Sequence, residues 1–414
     1  MLQTLKSVSS LMAGLILLML GSGALTTLLG LRMGDAGFSS QTVGFVMAAY
    51  FFGLVIGPVY AHKLISTIGH IRAYTALGSI LSVAALAHPF FIDPWFWGGL
   101  RFIQGFCIVG MYMCTESWLN AKSTNQIRGQ VFAIYQVAVY LFQGAAQFLL
   151  NIPDTSGYSL YILTSVLVSL AVVPVALIHV TPPELPKPVR LKLRQLYAIS
   201  PTGMIGCMAS GALLGSFYGM GASYAQLAGL DVGETTRFMG AVIVGGLVLQ
   251  WPFGKLSDVI DRRFVILATA IGTLATCLLM MNQTVVDSVG IVAIGILFGG
   301  VSFTLYPICV AYTNDYAKSD DLVPVSAGLL IAYGLGAVVG PIAASQFMQV
   351  LGAAGLFVFC GTISAVLAVF IGWRMLQRPA TIRVDDQMGF KPMGRTTAVI
   401  SELDTRADDE LTAK

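Results

Sequence analysis

Long apolar segments dominate this sequence, and short polar or Gly/Pro-containing stretches separate each of them from the next. Twelve such segments of about 20 residues occur, and each is long enough to cross a lipid bilayer as an α-helix. The predicted spans are 11–31, 43–65, 73–92, 95–119, 131–150, 158–180, 202–224, 237–257, 264–283, 289–312, 324–347 and 354–376. The pattern therefore predicts an all-α membrane protein.

The composition agrees with this pattern. Hydrophobic residues make up 56% of the chain and charged residues only 10%, whereas soluble proteins average about 25% charged residues. We therefore expect lipid to be the main solvent of the folded chain.

The positions of the basic residues predict the orientation. If the N-terminus lies inside, only Arg32, Arg237 and Arg101 of the 23 Lys and Arg residues fall outside the inner segments. Because inner loops collect Lys and Arg, we expect a multi-pass protein of the bacterial inner membrane with both termini in the cytoplasm. The net charge of +3 has the same origin, so it does not indicate nucleic-acid binding.

The first span also resembles a secretory signal peptide. Lys6 precedes the apolar residues 11–20, and small residues follow at 21–24. Cleavage would leave eleven spans and disrupt the internal repeat, so we expect the segment to be retained.

A weak internal repeat has a spacing of about 195 residues. It pairs Pro58 with Pro252, Gly105 with Gly299, and Gly144 with Gly340. Such a repeat predicts two six-helix halves related by a pseudo-twofold axis along the membrane normal.

The repeat divides the chain into an N-terminal half, 1–180, and a C-terminal half, 201–376. The linker 181–200 is Pro-rich and basic, and it is either solvated or forms a short helix on the lipid surface. The tail 377–414 is rich in charge and poor in apolar residues, so we expect it to be a disordered cytoplasmic segment.

A cluster of charges lies between spans 8 and 9. Its pattern, Gly254-x-x-x-Asp258-x-x-x-Arg262-Arg263, resembles the signature loop of the major facilitator superfamily. The resemblance implies the major facilitator fold and a gate in which Asp258 pairs at the interface of the halves with Arg262 and Arg263. The positive-inside rule alone would explain the arginines but not Asp258. The first-half counterpart, 57–72, contains no acidic residue, which departs from the family pattern.

Span 4 begins with a second motif, Arg101-x-x-Gln104-Gly105, which also resembles the superfamily. An arginine about 9 Å into a span should face a watery cavity or a partner. The alternative is a side chain that reaches to the outer headgroups. The resemblance places Arg101 and Gln104 at a substrate or proton site.

Glu116 is the only acidic residue inside a predicted span. Residues 116–120, together with Arg128-Gly129 and Trp251-Pro252, resemble the YcaD-type branch of the superfamily. Two roles for Glu116 stay open: it carries a proton, or it pairs with Arg72 or Arg128 in the gate.

Span 5 carries a polar face. Gln136, Tyr140, Gln143 and Gln147 follow i, i+4, i+7 and i+11, so they share one side of the helix. Their polar groups would lack partners in lipid, which favours a central cavity. Hydrogen bonds between helices are the alternative. Other spans contribute candidate lining residues, Tyr218, Tyr306 and Tyr333.

These features predict a monomeric secondary transporter that works by alternating access. No nucleotide-binding P-loop motif is present, so uphill work must come from an ion gradient, with protons as a candidate. The six cysteines lack metal-type spacing, and we expect no cofactor and no enzyme activity. The amide and phenol lining favours a small neutral solute such as a vitamin, for example riboflavin, a nucleoside or a sugar. The alternatives are proton-coupled multidrug efflux and, from another class, a non-transporting membrane receptor or enzyme.

Overall fold

The computed structural model describes residues 2–123, 125–153, 157–177, 192–282, 289–318, 321–377, 382, 384, 387–390 and 394–397, with 2–7, 125 and 126 by backbone alone. These ranges contain α-helices and short 3₁₀ turns but no strand. The helices are α1 (Leu2–Asp35), α2 (Ser40–Ile68), α3 (His70–Ala87), α4 (Pro94–Lys122), α5 (Asn125–Gln147), α6 (Ser159–Ala176), α7 (Leu193–Ile199), α8 (Pro201–Leu227), α9 (Val232–Val259), α10 (Arg262–Met280), α11 (Gly290–Asn314), α12 (Leu322–Leu351) and α13 (Gly355–Gln377).

All of these helices except α7 have the length of a membrane span. By length and composition, 10 segments of the described chain are candidate spans, and one of them, Leu322–Gln377, contains both α12 and α13. The remaining long helix is α4, whose Arg101, Gln104 and Glu116 make it more polar. The prediction of an all-α membrane fold with twelve spans is therefore confirmed.

Several helices begin at polar residues that cap them. Side-chain oxygens of Ser39, Asp93, Asp231 and Asp261 accept backbone N–H groups in the first turns of α2, α4, α9 and α10, at 2.7–3.2 Å. These donors have no partner within the helix, so a cap at the membrane surface stabilises each start.

The two halves, α1–α6 and α8–α13, repeat the same packing. Helix α2 packs on α4 as α9 packs on α11. A side chain at Gly105 would collide with the carbonyl of Tyr50, and one at Gly299 would collide with the carbonyl of Val242. The two glycines paired by the repeat therefore permit the same close helix contact.

The linker and the tail are described in part. Residues 178–191 of the linker lie outside the described residues, and α7 follows them, with Leu196 buried close to Gly328 of α12. We expected a disordered tail, and residues 387–390 and 394–397 of it contact the helical core. Backbone groups, a few polar side chains and the ring of Phe390 make these contacts, and composition does not reveal them.

Candidate transport cavity

A cavity of about 330 Å³ lies between the two halves. Six helices and the tail line it: α1, α2, α4 and α5 from the first half, α8 and α12 from the second, and residues 395–397. Its polar lining side chains include Ser22, Thr26, Tyr50, His62, Tyr112, Gln136, Tyr140, Gln143, Tyr218 and Tyr333.

One end of the bundle, which we call the closed end, is bridged directly between the halves. Gln41 of α2 donates to Gln346 of α12 at 2.7 Å, and Gln226 of α8 donates to Asp35 of α1 at 2.8 Å. The backbones are also close there, because a side chain at Gly44 would collide with Ser345. The two halves therefore meet directly at this end.

The opposite end, which we call the open end, gives access to the cavity. The lining extends to His62, in the last two turns of α2, and to Val323, in the first turn of α12. Val59, which also lines the cavity, is 48% exposed. The cavity therefore reaches this end of the bundle, whereas the closed end is bridged by side chains.

The predicted polar face of span 5 divides into two parts. Gln136, Tyr140 and Gln143 line the cavity. Gln147 instead accepts a 2.6 Å hydrogen bond from Thr27 of α1 and does not line it. Most of the face therefore forms a wall of the cavity, and its last residue, Gln147, forms a hydrogen bond between helices.

Two of the three predicted tyrosines lie on the cavity wall. Tyr218 and Tyr333 line it. Tyr306 is buried behind Tyr333, with the two ring centroids 5.1 Å apart. Tyr306 therefore supports the wall and does not face the cavity in this conformation.

Arg101 and Gln104 form a buried pair behind the cavity. The guanidinium lies over the ring of Tyr50, 4.2 Å from its centroid, and donates to the side-chain oxygen of Gln104 at 3.1 Å. Arg101 is 1% exposed, so it does not reach to the membrane surface. Tyr50 separates the pair from the cavity, and the cation–π contact orients this ring.

Sequence reasoning missed several lining residues. Ser22 and Thr26 are one turn apart in α1, and this spacing was a usable signal within an apolar span. Tyr112 lies one turn before Glu116 on α4 and was similarly detectable. Tyr50 carried no signal, because a tyrosine in a span is common.

Charged side chains form a cluster at the open end of the second half. Arg262 is fully buried and pairs with Asp258 at 3.1 Å and with Asp315, at the end of α11. Arg263 instead pairs with Asp261 at 2.6 Å. The cluster joins α9, α10 and α11, and Asp315 is a member that the motif did not indicate.

Glu116 lies on α4 at the open half of the cavity. It is fully buried and accepts hydrogen bonds from the hydroxyl of Tyr135, at 2.6 Å, and from the hydroxyls of Thr396 and Thr397. Arg72 is exposed and Arg128 half-buried. The hydrogen-bond partners of Glu116 among the described residues are therefore hydroxyl groups, two of them from the tail.

Comparison with known proteins identifies the family. Residues 11–250 and 229–397 match the model of the major facilitator superfamily, so the chain belongs to that superfamily and is a multi-pass membrane transporter. The uncharacterized transporter YcaD of Salmonella enteritidis PT4 is 28% identical over 374 residues, which cover 88% of this chain and 95% of YcaD. An uncharacterized transporter of Yersinia pestis (strain Pestoides F) is 29% identical over 352 residues, covering 83% and 89%. The predicted family and branch are confirmed.

Solved structures show the same fold. The nucleoside transporter NupG has a TM-score of 0.74 at 15% identity, covering 90% of this chain and 99% of NupG. A bacterial homologue of the human lysosomal transporter Spinster, in an inward-facing and occupied conformation, has a TM-score of 0.73 at 12% identity, covering 92% and 97%. At these identities the likeness concerns the fold alone.

Proposed function

We propose that this transporter moves a small, neutral, hydrogen-bonding organic solute across the bacterial inner membrane by alternating access. The observation that carries the proposal is the chemistry of the cavity wall. Among the described lining residues, amides, hydroxyls and phenols supply most polar groups, and the only Arg, Lys, Asp or Glu is Arg395 of the tail.

This wall suits a solute without formal charge. Gln136 and Gln143 offer both donors and acceptors, and Tyr140, Tyr218 and Tyr333 add hydroxyls and ring faces. A volume of about 330 Å³ lies at the small end of the range for ligand cavities, roughly 300–1,000 Å³. Vitamins such as riboflavin, nucleosides and sugars belong to this chemical class.

The closed and open ends support alternating access. We assign the open end to the cytoplasm, because Lys63, Lys255 and Arg263 lie at that end and basic residues collect on the inner side. Reporter fusions after Gln377 and within 36–39 should give cytoplasmic and outer signals respectively. The reverse pattern would overturn the orientation.

Solute binding can be tested at Gln143. Gln143→Leu keeps the side-chain size but removes its hydrogen bonds, so uptake of a labelled panel of riboflavin, uridine and glucose should fall at least about tenfold for the transported member. The matched control is Gln130→Leu, on an exposed part of the same helix. Equal transport in both variants would contradict the assignment of the cavity.

Glu116 is our candidate coupling residue. Glu116→Gln keeps the shape of the side chain but cannot gain or lose a proton, so accumulation against a gradient should stop while downhill exchange continues. Tyr135→Phe serves as the control, because it removes one hydrogen bond of Glu116 and leaves the acid in place. Accumulation by Glu116→Gln would remove the coupling role and leave a gate role.

Proton-coupled drug efflux is the second candidate. Apolar side chains, among them Phe51, Leu54 and Leu330, also line the cavity, and they would contact an amphipathic drug. Under this alternative, deletion of the gene should increase drug susceptibility, and Gln143→Leu should leave drug resistance intact.

A further inference from the structure

Two segments of the tail contact the helical bundle at the open end. We call residues 387–390 the tail anchor and residues 394–397 the cavity segment. The anchor docks on the charged cluster of the second half: Asp315 accepts the backbone N–H of Met388 at 3.0 Å, and Asp258 accepts that of Phe390 at 2.7 Å. Arg262 donates to the carbonyl of Met388.

The anchor also packs against the signature loop. The ring of Phe390 occupies the space beside Gly254, where a side chain would collide with it. Gly254, Asp258 and Arg262 of the motif therefore all contact the tail in this conformation.

The cavity segment spans the gap between the halves. Arg395 donates to the hydroxyl of Tyr140 on α5 and, at 3.1 Å, to the carbonyl of Phe303 on α11. Its guanidinium lies 4.8 Å from the ring centroid of Phe303 and 5.6 Å from that of Tyr140. Such cation–π contacts gain strength away from water.

The next two residues complete the attachment to the first half. Thr396 and Thr397 both donate to the carboxylate of Glu116 on α4. Thr397 is only 1% exposed. Residues 395–397 themselves form part of the cavity wall, and Arg395 bonds to the hydroxyl of Tyr140, a lining group that we assign to the solute.

We propose that the cavity segment is an internal ligand of the transport cavity, which competes with solute and holds the open end apart until it leaves. The competition rests on the proposed function, because Tyr140 is assigned to both solute and tail. The docking itself does not depend on that function. Closure of the open end requires the helices to approach where the segment lies, so release of the tail precedes closure.

The proposal has a quantitative consequence. The apparent affinity for solute falls by the fraction of molecules whose cavity is free, so a tail docked in nine of ten molecules weakens the apparent affinity about tenfold. Weakening the tail should lower the apparent KM, and the maximal rate should not fall.

Cysteine labelling tests the docking without any transport. The six native cysteines are buried, so a cysteine introduced at Thr397 reports on the tail when a membrane-impermeant maleimide is added to inside-out vesicles. The control is Ser66→Cys, at an exposed position on the same end of the bundle. We expect Thr397→Cys to react at least about tenfold more slowly than Ser66→Cys, because labelling requires local opening. Adding Arg395→Gln should remove most of this protection.

Uptake then tests the competition. Arg395→Gln should lower the apparent KM for whichever of riboflavin, uridine or glucose is transported, and Arg237→Gln, an exposed arginine at the closed end, should not.

Equally fast labelling at Thr397→Cys and Ser66→Cys would overturn the docking. Protection that Arg395→Gln does not relieve would overturn the role of Arg395. Faster labelling with an unchanged KM would overturn the competition. Absence of uptake of the whole panel, with protection intact, would count against the neutral-solute proposal and leave the docking standing.

Discussion

The two ends of the bundle are joined by different kinds of contact. At the closed end, side chains of α2 and α12, and of α1 and α8, bond to each other directly. At the open end, the tail bridges the halves, with Glu116 and Tyr140 on one side and Asp258, Asp315 and Phe303 on the other. The rings of Tyr140 and Phe303 also meet directly there, with their centroids 6.0 Å apart.

The two ends also differ in the strength of their contacts. The closed end depends on exposed amides and close backbones, which individually contribute little and can break during each transport cycle. The open end contains a buried ion cluster that holds three helices of one half together and a tail that reaches to the other half. Arg262, Asp258 and Asp315 therefore serve both purposes, because they join three helices of their own half and also bind the tail.

The largest effect is expected at the open end. Arg262→Ala removes a fully buried guanidinium and leaves Asp315, whose side chain is 2% exposed, without its ion pair. Breaking such a pair typically costs about 3–5 kcal/mol, so unfolding in detergent should occur at a much lower temperature. Arg263→Ala removes the same charge from a more exposed pair and should cost about 0–1 kcal/mol. Similar losses in both variants would contradict the distinct role of the cluster.

An intermediate effect is expected at the closed end. A methyl group at Gly44 would lie 2.7 Å from the carbonyl oxygen of Pro341, and overpacking of this kind costs about 1–3 kcal/mol. Gly44→Ala should therefore destabilise the closed end and increase labelling of a cysteine introduced at Gln41. Gly99→Ala is the control, because nothing lies within 4 Å of its added methyl group. Unchanged labelling would mean that the halves do not approach at Gly44.

The smallest effect is expected from the amide pair Gln41 and Gln346. Both side chains are exposed, and a hydrogen bond of this type contributes about 0.5–1.5 kcal/mol. A double-mutant cycle of Gln41→Leu and Gln346→Leu should give a coupling at the lower end of this range in the labelling equilibrium. Pairing Gln41→Leu with Gln349→Leu, another exposed amide of α12, should give additive effects.

The sequence predicted the fold because its apolar segments recur along the chain and its two halves repeat the same glycine positions. Runs of apolar residues identified the spans, and the glycines at 105 and 299 marked equivalent helix contacts in the two halves. The polar face of span 5 was also predictable, since amides at helical spacing in a membrane must face either a cavity or a polar group of a neighbouring helix.

The sequence does not predict which individual side chains contact each other. Periodicity places Gln147 on the face of Gln143, but only the position of Thr27 decides that it bonds to α1. Arg101 was expected at the cavity, and Tyr50 on another helix screens it. The tail lacks any periodic pattern, and the contacts of residues 387–390 and 394–397 use backbone groups, a few polar side chains and the ring of Phe390, so composition alone indicated a disordered tail.

The anchor has a consequence for evolution. Asp258, Asp315 and Arg262 recognise main-chain groups of Met388 and Phe390, which nearly every residue type offers. Selection for docking therefore acts weakly on most side chains of the anchor and strongly on Arg395. Substitutions in the anchor can therefore accumulate without loss of docking, whereas a single substitution at Arg395 can add or remove inhibition by the tail. The signature loop remains available for the gate in either case.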